Sequence, residues 1–117
     1  MHIESYRDFC LAKPGVTEEF PFDNKTLVFK VMGKMFALTD VDQFQSVNLK
    51  CDPDWALELR ESHPEITGGY HMNKRLWNTV QMHGSLDDDF IRELIDHSYQ
   101  QVVKGLTKKL RAELAEL

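Results

Sequence analysis

The sequence predicts an α+β fold: a single-domain, two-layer sandwich in which one antiparallel β-sheet carries helices on one face. Two periodicities predict it. The middle of the chain alternates apolar and polar residues, at Leu27, Phe29 and Val31 and again at Val47, Leu49 and Cys51. Both ends instead repeat apolar residues at helical spacing, as in Ile3, Tyr6, Phe9 and Cys10 and in Phe90, Ile91, Leu94, Ile95, Tyr99 and Val102. A sheet that alternates in this way buries one face, and the helices are what it buries it against. With 117 residues, 42% hydrophobic and 28% charged, the chain suits one domain over 1–117 with one core.

The elements follow in order. The first helix stops at Lys13-Pro14-Gly15, where proline and glycine end it. Thr17-Glu18-Glu19 is read as a further helical turn before Pro21. The runs around Leu27–Val31 and Met35–Thr39 form a hairpin, with Gly33-Lys34 as a Gly-X type II′ turn. Val47–Cys51 makes a third strand. Asp52-Pro53 is an N-cap followed by proline at the first helical position, and Trp55, Ala56 and Leu59 form the stripe of that helix. The stretch that begins at Gly68 supplies a glycine-containing loop, and Leu76–Met82 reads as a strand. Ser85 and Asp88 resemble a capping box for the long helix through Val103. Gly105 ends it, and Thr107 caps a last helix.

Charge is segregated over this framework. Segments 24–50 and 66–86 hold six of the 14 cations and two of the 19 acids, a net of +4, so the remainder carries −9 of the total −5. The strands hold the positive balance and the helices the negative one. No apolar run approaches the roughly 18 residues of a membrane span. The N-terminus lacks a charged-then-apolar leader, so a cytoplasmic location is expected, with Cys10 and Cys51 as reduced core thiols.

One stretch stands apart. Gly68 to Val80 holds two glycines, the rings of Tyr70, His71 and Trp77, the amides Asn73 and Asn78, and the cations Lys74 and Arg75, with no acid. Together with Lys13-Pro14-Gly15-Val16-Thr17-Glu18-Glu19-Phe20-Pro21-Phe22, Phe29–Leu38, Leu49–Pro53, Ser98-Tyr99 and Leu106–Lys109, it resembles the MmcQ/YjbR-like family along essentially the whole chain. The resemblance implies a frataxin-type (CyaY-like) sandwich and a "double wing" DNA-binding module. Members of that family commonly place a histidine just before the tryptophan, where this chain has Leu76, so a role for that imidazole does not carry over.

For DNA, Lys30, Lys50, Lys74 and Arg75 are the residues to reach phosphates. Tyr70, His71 and Trp77 suit stacking on bases, and Asn73 or Asn78 hydrogen bonding to base edges or sugars. Strand alternation puts Lys30 and Lys50 on the face that the helices leave open. So few cations give only weak binding, ~10⁻⁴–10⁻⁶ M. The same residues also read as solvated lysines, a core tryptophan and a turn asparagine. The alternative function is a small-molecule or protein-binding module that holds a planar ligand against an aromatic-lined sheet face. Metal and cofactor sites are not expected: His63, His71, His83 and His97 show no ligand spacing, and neither cysteine has a near partner. No nucleophile elbow, phosphate-cradling loop or triad order points to an enzyme.

Overall fold

The computed structural model describes residues 1–117. Ten elements follow one another as α1 (Ile3–Leu11), β1 (Val16–Glu19), β2 (Thr26–Val31), β3 (Lys34–Asp40), β4 (Ser46–Lys50), α2 (Pro53–Ser62), β5 (Ile66–Gly68), β6 (Trp77–Gln81), α3 (Asp88–Lys104) and α4 (Lys108–Ala115). The strands form one sheet in the order β1-β2-β3-β4-β6-β5, and every neighbouring pair is antiparallel. The α+β two-layer prediction holds.

Alternation decides what each face does. Leu27, Phe29 and Val31 from β2, Val47 and Leu49 from β4, and Ile66 and Val80 from β5 and β6 point to one side. There they join Tyr6 and Cys10 of α1, Ala56 and Leu59 of α2, and Ile91, Leu94, Ile95, Tyr99 and Val102 of α3 in one buried cluster. Each fully buried Leu, Ile or Phe contributes about 1.5–3 kcal/mol of transfer free energy. Ser98, fully buried on α3, pins the two layers: its hydroxyl donates to Phe36 O at 2.5 Å and accepts from Lys50 N at 2.8 Å.

Several local expectations hold. Asp52 caps α2, its carboxylate accepting from Trp55 N at 3.0 Å, and Pro53 follows it. Thr107 caps α4 by accepting from Leu110 N at 3.2 Å. Others are corrected. Thr17-Glu18-Glu19 lies in strand β1, not in a helical turn, because Val16 turns into the core and Glu18 meets Arg7 of α1 at 2.6 Å. The hairpin turn is Met32-Gly33, not Gly33-Lys34: Val31 pairs with Lys34, and both central residues have positive φ (49° and 83°), as a type I′ turn requires. A bulge in β3 follows, since Phe29 pairs with Ala37 but Lys30 with Met35. Phe36 is the extra residue, which is why it and Ala37 both face the helices.

A strand the sequence did not predict, β5, leads into the glycine-containing loop and pairs with β6 through Ile66↔Val80. The Ser85–Asp88 capping box does not form. Asp87 is the N-cap without a side-chain bond, Ser85 turns to Glu65, and Asp88 Oδ1 accepts from the Met1 ammonium at 2.8 Å. The chain terminus, available to no local pattern, has taken the carboxylate.

Candidate functional site

Thr26, Val28 and Lys30 of β2, Met35, Leu38 and Asp40 of β3, and Ser46, Asn48 and Lys50 of β4 face away from the helices, with Trp77, Thr79 and Gln81 of β6. Part of this face is covered. The connection 69–76 between β5 and β6 folds back so that Met72 and Leu76 pack on Val28, Leu38 and Trp77.

Backbone hydrogen bonds shape that connection. Gly69 N donates to Trp77 O at 2.8 Å, and Leu76 N and Trp77 N both donate to Asn73 O, at 3.1 and 2.9 Å. Asn73 Oδ1 accepts from Arg75 N at 2.9 Å, an Asx turn. A Cβ at Gly69 would lie 2.8 Å from Trp77 Cβ and 3.0 Å from Met72 Cβ and Trp77 O, so only glycine fits without movement. His71 takes the left-handed conformation, φ 59°. Tyr70 is held at both backbone ends: its N–H donates to Thr79 Oγ1 at 2.9 Å, and its carbonyl accepts from Asn48 Nδ2 at 3.3 Å. Thr79 in turn donates to Asn48 Oδ1 at 2.6 Å, which closes the network across β4 and β6.

The result is a cleft of about 540 Å³ over β2, β3 and β4. Phe22, from the segment before β2, and Tyr70, His71 and Met72, from the 69–76 connection, line it. Leu38, Thr26 and Asn48 contribute strand side chains, and Asp40, Gln43, Gln45 and Ser46 complete the lining. Phe22 is 64% exposed and Tyr70 69%, unusual values for rings of that size. The Tyr70 and His71 rings lie 4.0 Å apart at 51°. Beside Phe22, an Asx turn fixes the chain: Asp23 Oδ1 accepts from Thr26 N at 2.7 Å and Lys25 N at 2.9 Å. These donors, Thr26 first, hold the Asp23 carboxyl below its ordinary value.

The seven predicted site residues are only partly brought together. His71 lines the cleft, exposed. Lys50 lies on the open face and has no ion-pair partner, and Arg75 is exposed on the 69–76 connection. Lys30 reaches the same face but is ion-paired to Glu19 of β1, and Lys74 Nζ turns inward to Gly69 O at 3.0 Å. Asn73 is the turn residue described above, its side-chain oxygen already bonded. Trp77 is corrected outright as a stacking platform: at 8% exposure under Met72 and Leu76, its ring is packing. Leu76, standing where the resembling family has histidine, is part of that cover.

The positive surface is corrected as well. The +4 of the strand segments is not concentrated on the open face, where the strand positions set Lys30 and Lys50 against Glu19 and Asp40.

Arg60 and Phe22 escaped the sequence reading as site residues. Arg60 of α2 donates from Nε to Asn78 Oδ1 at 2.7 Å and from its terminal nitrogen to Trp77 O at 3.2 Å, and it also reaches Lys74 O. It ties the helix layer to the connection that walls the cleft. An arginine on an amphipathic helix gives no local signal of such a role. Nothing among these groups resembles a poised nucleophile: burial pushes both thiols, Cys10 and Cys51, up to about 12. No three His, Cys, Asp or Glu side chains converge to hold a metal.

Comparison with known proteins agrees with this architecture. A family model described as YjbR matches residues 11–101. The uncharacterized protein YjbR of Escherichia coli (strain K12) is 37% identical over 118 residues, covering all of both chains. The uncharacterized protein YbdF of Escherichia coli O157:H7 is 36% identical over 107 residues, 91% of this chain and 88% of that one. Among solved structures, the Deinococcus radiodurans protein DR2400 superposes with a TM-score of 0.89 at 43% identity, over 97% of this chain and 87% of its own. A Pseudomonas syringae protein gives 0.74 at 28% identity, over 86% and 98%. Full-length likeness in sequence, a matching family model and a shared fold converge: this chain belongs to the YjbR family.

Proposed function

We propose that the protein is a non-catalytic binding module that seats a small planar ligand in the cleft between Phe22 and the Tyr70–His71 pair. One observation carries the reading. Tyr70 is fixed through both its N–H and its carbonyl, yet its ring stands 69% exposed over a cleft of about 540 Å³. Leaving a large ring in water gains nothing for folding, while the fixed backbone beneath it sets where a stacking surface stands and lowers the entropic cost of binding. The volume falls in the range of small-molecule sites, about 300–1,000 Å³. Leu38 and Met72 supply apolar floor, and Gln43 and Gln45 supply amides.

The test is a thermal-shift series with quinoline and indole, run beside duplex and single-stranded DNA across a salt gradient. The flat fragments raise the melting temperature, DNA does not, and Tyr70→Ala removes the shift. A ligand at a hundred times its Kd adds about 2.7 kcal/mol, well above detection. A salt-sensitive shift with DNA and none with any fragment would overturn the reading.

That outcome would favour a second reading, a DNA-binding double-wing module acting in the cytoplasm. Lys50 and the exposed Arg75, free of ion pairs beside the sheet, support it. Pairing of Lys30 and folding-in of Lys74 leave it fewer phosphate contacts than the sequence offers.

A further inference from the structure

We infer that the cleft selects flat organic cations, such as quaternised or protonated heteroaromatic amines, over neutral or anionic molecules of the same shape; this rests on the planar-ligand reading above. No lysine or arginine lines the cleft, and the one carboxylate that does is Asp40. The nearby cations are directed elsewhere: Lys25 lies 4.0 Å from Asp42, and Lys30 pairs with Glu19. An anionic ligand would meet a like charge with no lysine or arginine in the lining to offset it. A cation would meet the opposite charge.

The Asp40 carboxylate is also prepared. Its Oδ1 accepts from Asp42 N at 2.8 Å and Gln43 N at 3.2 Å, the turn that follows β3. These bonds fix the plane of the group and use one oxygen, while Oδ2 has no protein partner and remains available as an acceptor. Asn48, by contrast, is already engaged at both ends, Nδ2 with Tyr70 O and Oδ1 with the Thr79 hydroxyl. Among these groups it is the carboxylate that is free to answer a ligand's charge.

The aromatic walls act in the same direction. Phe22 and Tyr70 both line the cleft and are 64% and 69% exposed, so their rings are open to a ligand. A ring face is the negative part of its quadrupole, so it attracts a cationic ring more than a neutral one. A flat cation seated here, its positive nitrogen toward Asp40, uses both the exposed rings and the free carboxylate oxygen.

Isothermal titration of the full chain with three bicyclic probes tests this at about pH 8, where ordinary imidazoles are neutral. The probes are N-methylquinolinium, quinoline and quinaldate. The expected order is cation, then neutral, then anion, with about tenfold between the first two at low salt. Asp40→Asn keeps the Oδ1 acceptor of the turn and lowers the ratio of cation to quinoline affinity about tenfold. Its melting temperature confirms folding, and the order on the unaltered protein stands as evidence without the variant. Equal binding of cation and neutral probe, or tightest binding of quinaldate, would overturn the inference and leave the planar-ligand reading intact. Binding of none of the three would overturn both.

Discussion

Arg60 Nε on α2 donates to Asn78 Oδ1 on β6 at 2.7 Å, and the same guanidinium reaches two carbonyls of the chain leading into that strand. Asn78 is 2% exposed, on the helix-facing side of the strand, and its Nδ2 finds no protein acceptor. The helix layer therefore holds the cleft wall from behind, through one side chain. Removing Arg60 leaves the amide without either partner. Arg60→Met is expected to cost about 2–3 kcal/mol in urea unfolding and to weaken any ligand that stacks on Tyr70. A stability change below about 0.5 kcal/mol would show that the contact is ornamental.

Trp77 separates packing from recognition. Its ring lies against Val28 and Leu38 under Met72 and Leu76. Trp77→Ala should destabilise the protein by about 3–5 kcal/mol, as truncating a buried aromatic does. Tyr70→Ala, at 69% exposure, should change stability by less than about 0.5 kcal/mol. Chemical denaturation of the two variants checks the contrast, and similar losses would contradict the assignment of roles.

Two glycines should respond differently to a methyl group. Gly69→Ala forces its Cβ to within 2.8 Å of Trp77 Cβ, so the connection must shift, at a cost of about 1–3 kcal/mol with loss of ligand binding. Gly33→Ala meets no atom within 4 Å and pays only for its φ of +83°, about 1 kcal/mol, with binding unchanged. Melting curves and fragment titration of both variants resolve the two effects.

The fold was legible where the signal is local. Asp52-Pro53 and Thr107 cap their helices as their chemistry requires, and the alternation of Leu27, Phe29 and Val31 marks the buried sheet face. It was not legible where a distant partner decides. β5 has three residues between Pro64 and Gly69, too few for any period, and exists because β6 accepts it. Thr17-Glu18-Glu19 has helical composition, but pairing with β2 and the Arg7 contact hold it extended. For the site, alternation placed Lys30 and Lys50 on the open face but could not reveal Glu19 beside one of them. It gave Trp77 its side of the sheet without saying that the following loop covers it. Phe22 and Tyr70 meet across one cleft only through the strand order.

His97 should make stability depend on pH. Its Nε2 accepts from Asp52 N at 3.1 Å, which requires the neutral ring, and Trp55 packs edge-on at 4.5 Å. Burial, partly offset by Asp52 and Glu93, lowers its pKa from the ordinary 6.5. A folded pKa below the unfolded one means that the unfolded chain binds the proton more readily. The contribution is therefore fully present above 6.5 and is lost as pH falls through the lower, folded value. His97→Gln, which keeps an acceptor but does not titrate, should flatten the fall in melting temperature over that window. An unchanged slope would assign it to other groups.

The most direct test of the binding account is an amide-resolved NMR titration of the full chain, first with quinoline and then with a short DNA duplex. The account predicts that quinoline moves the amides of Phe22, Gln43, Asn48, Tyr70 and His71 together, along one saturating curve, while DNA leaves them in place. Shifts confined to the surroundings of Lys50 and Arg75 on adding DNA, with the cleft amides unmoved by quinoline, would contradict it.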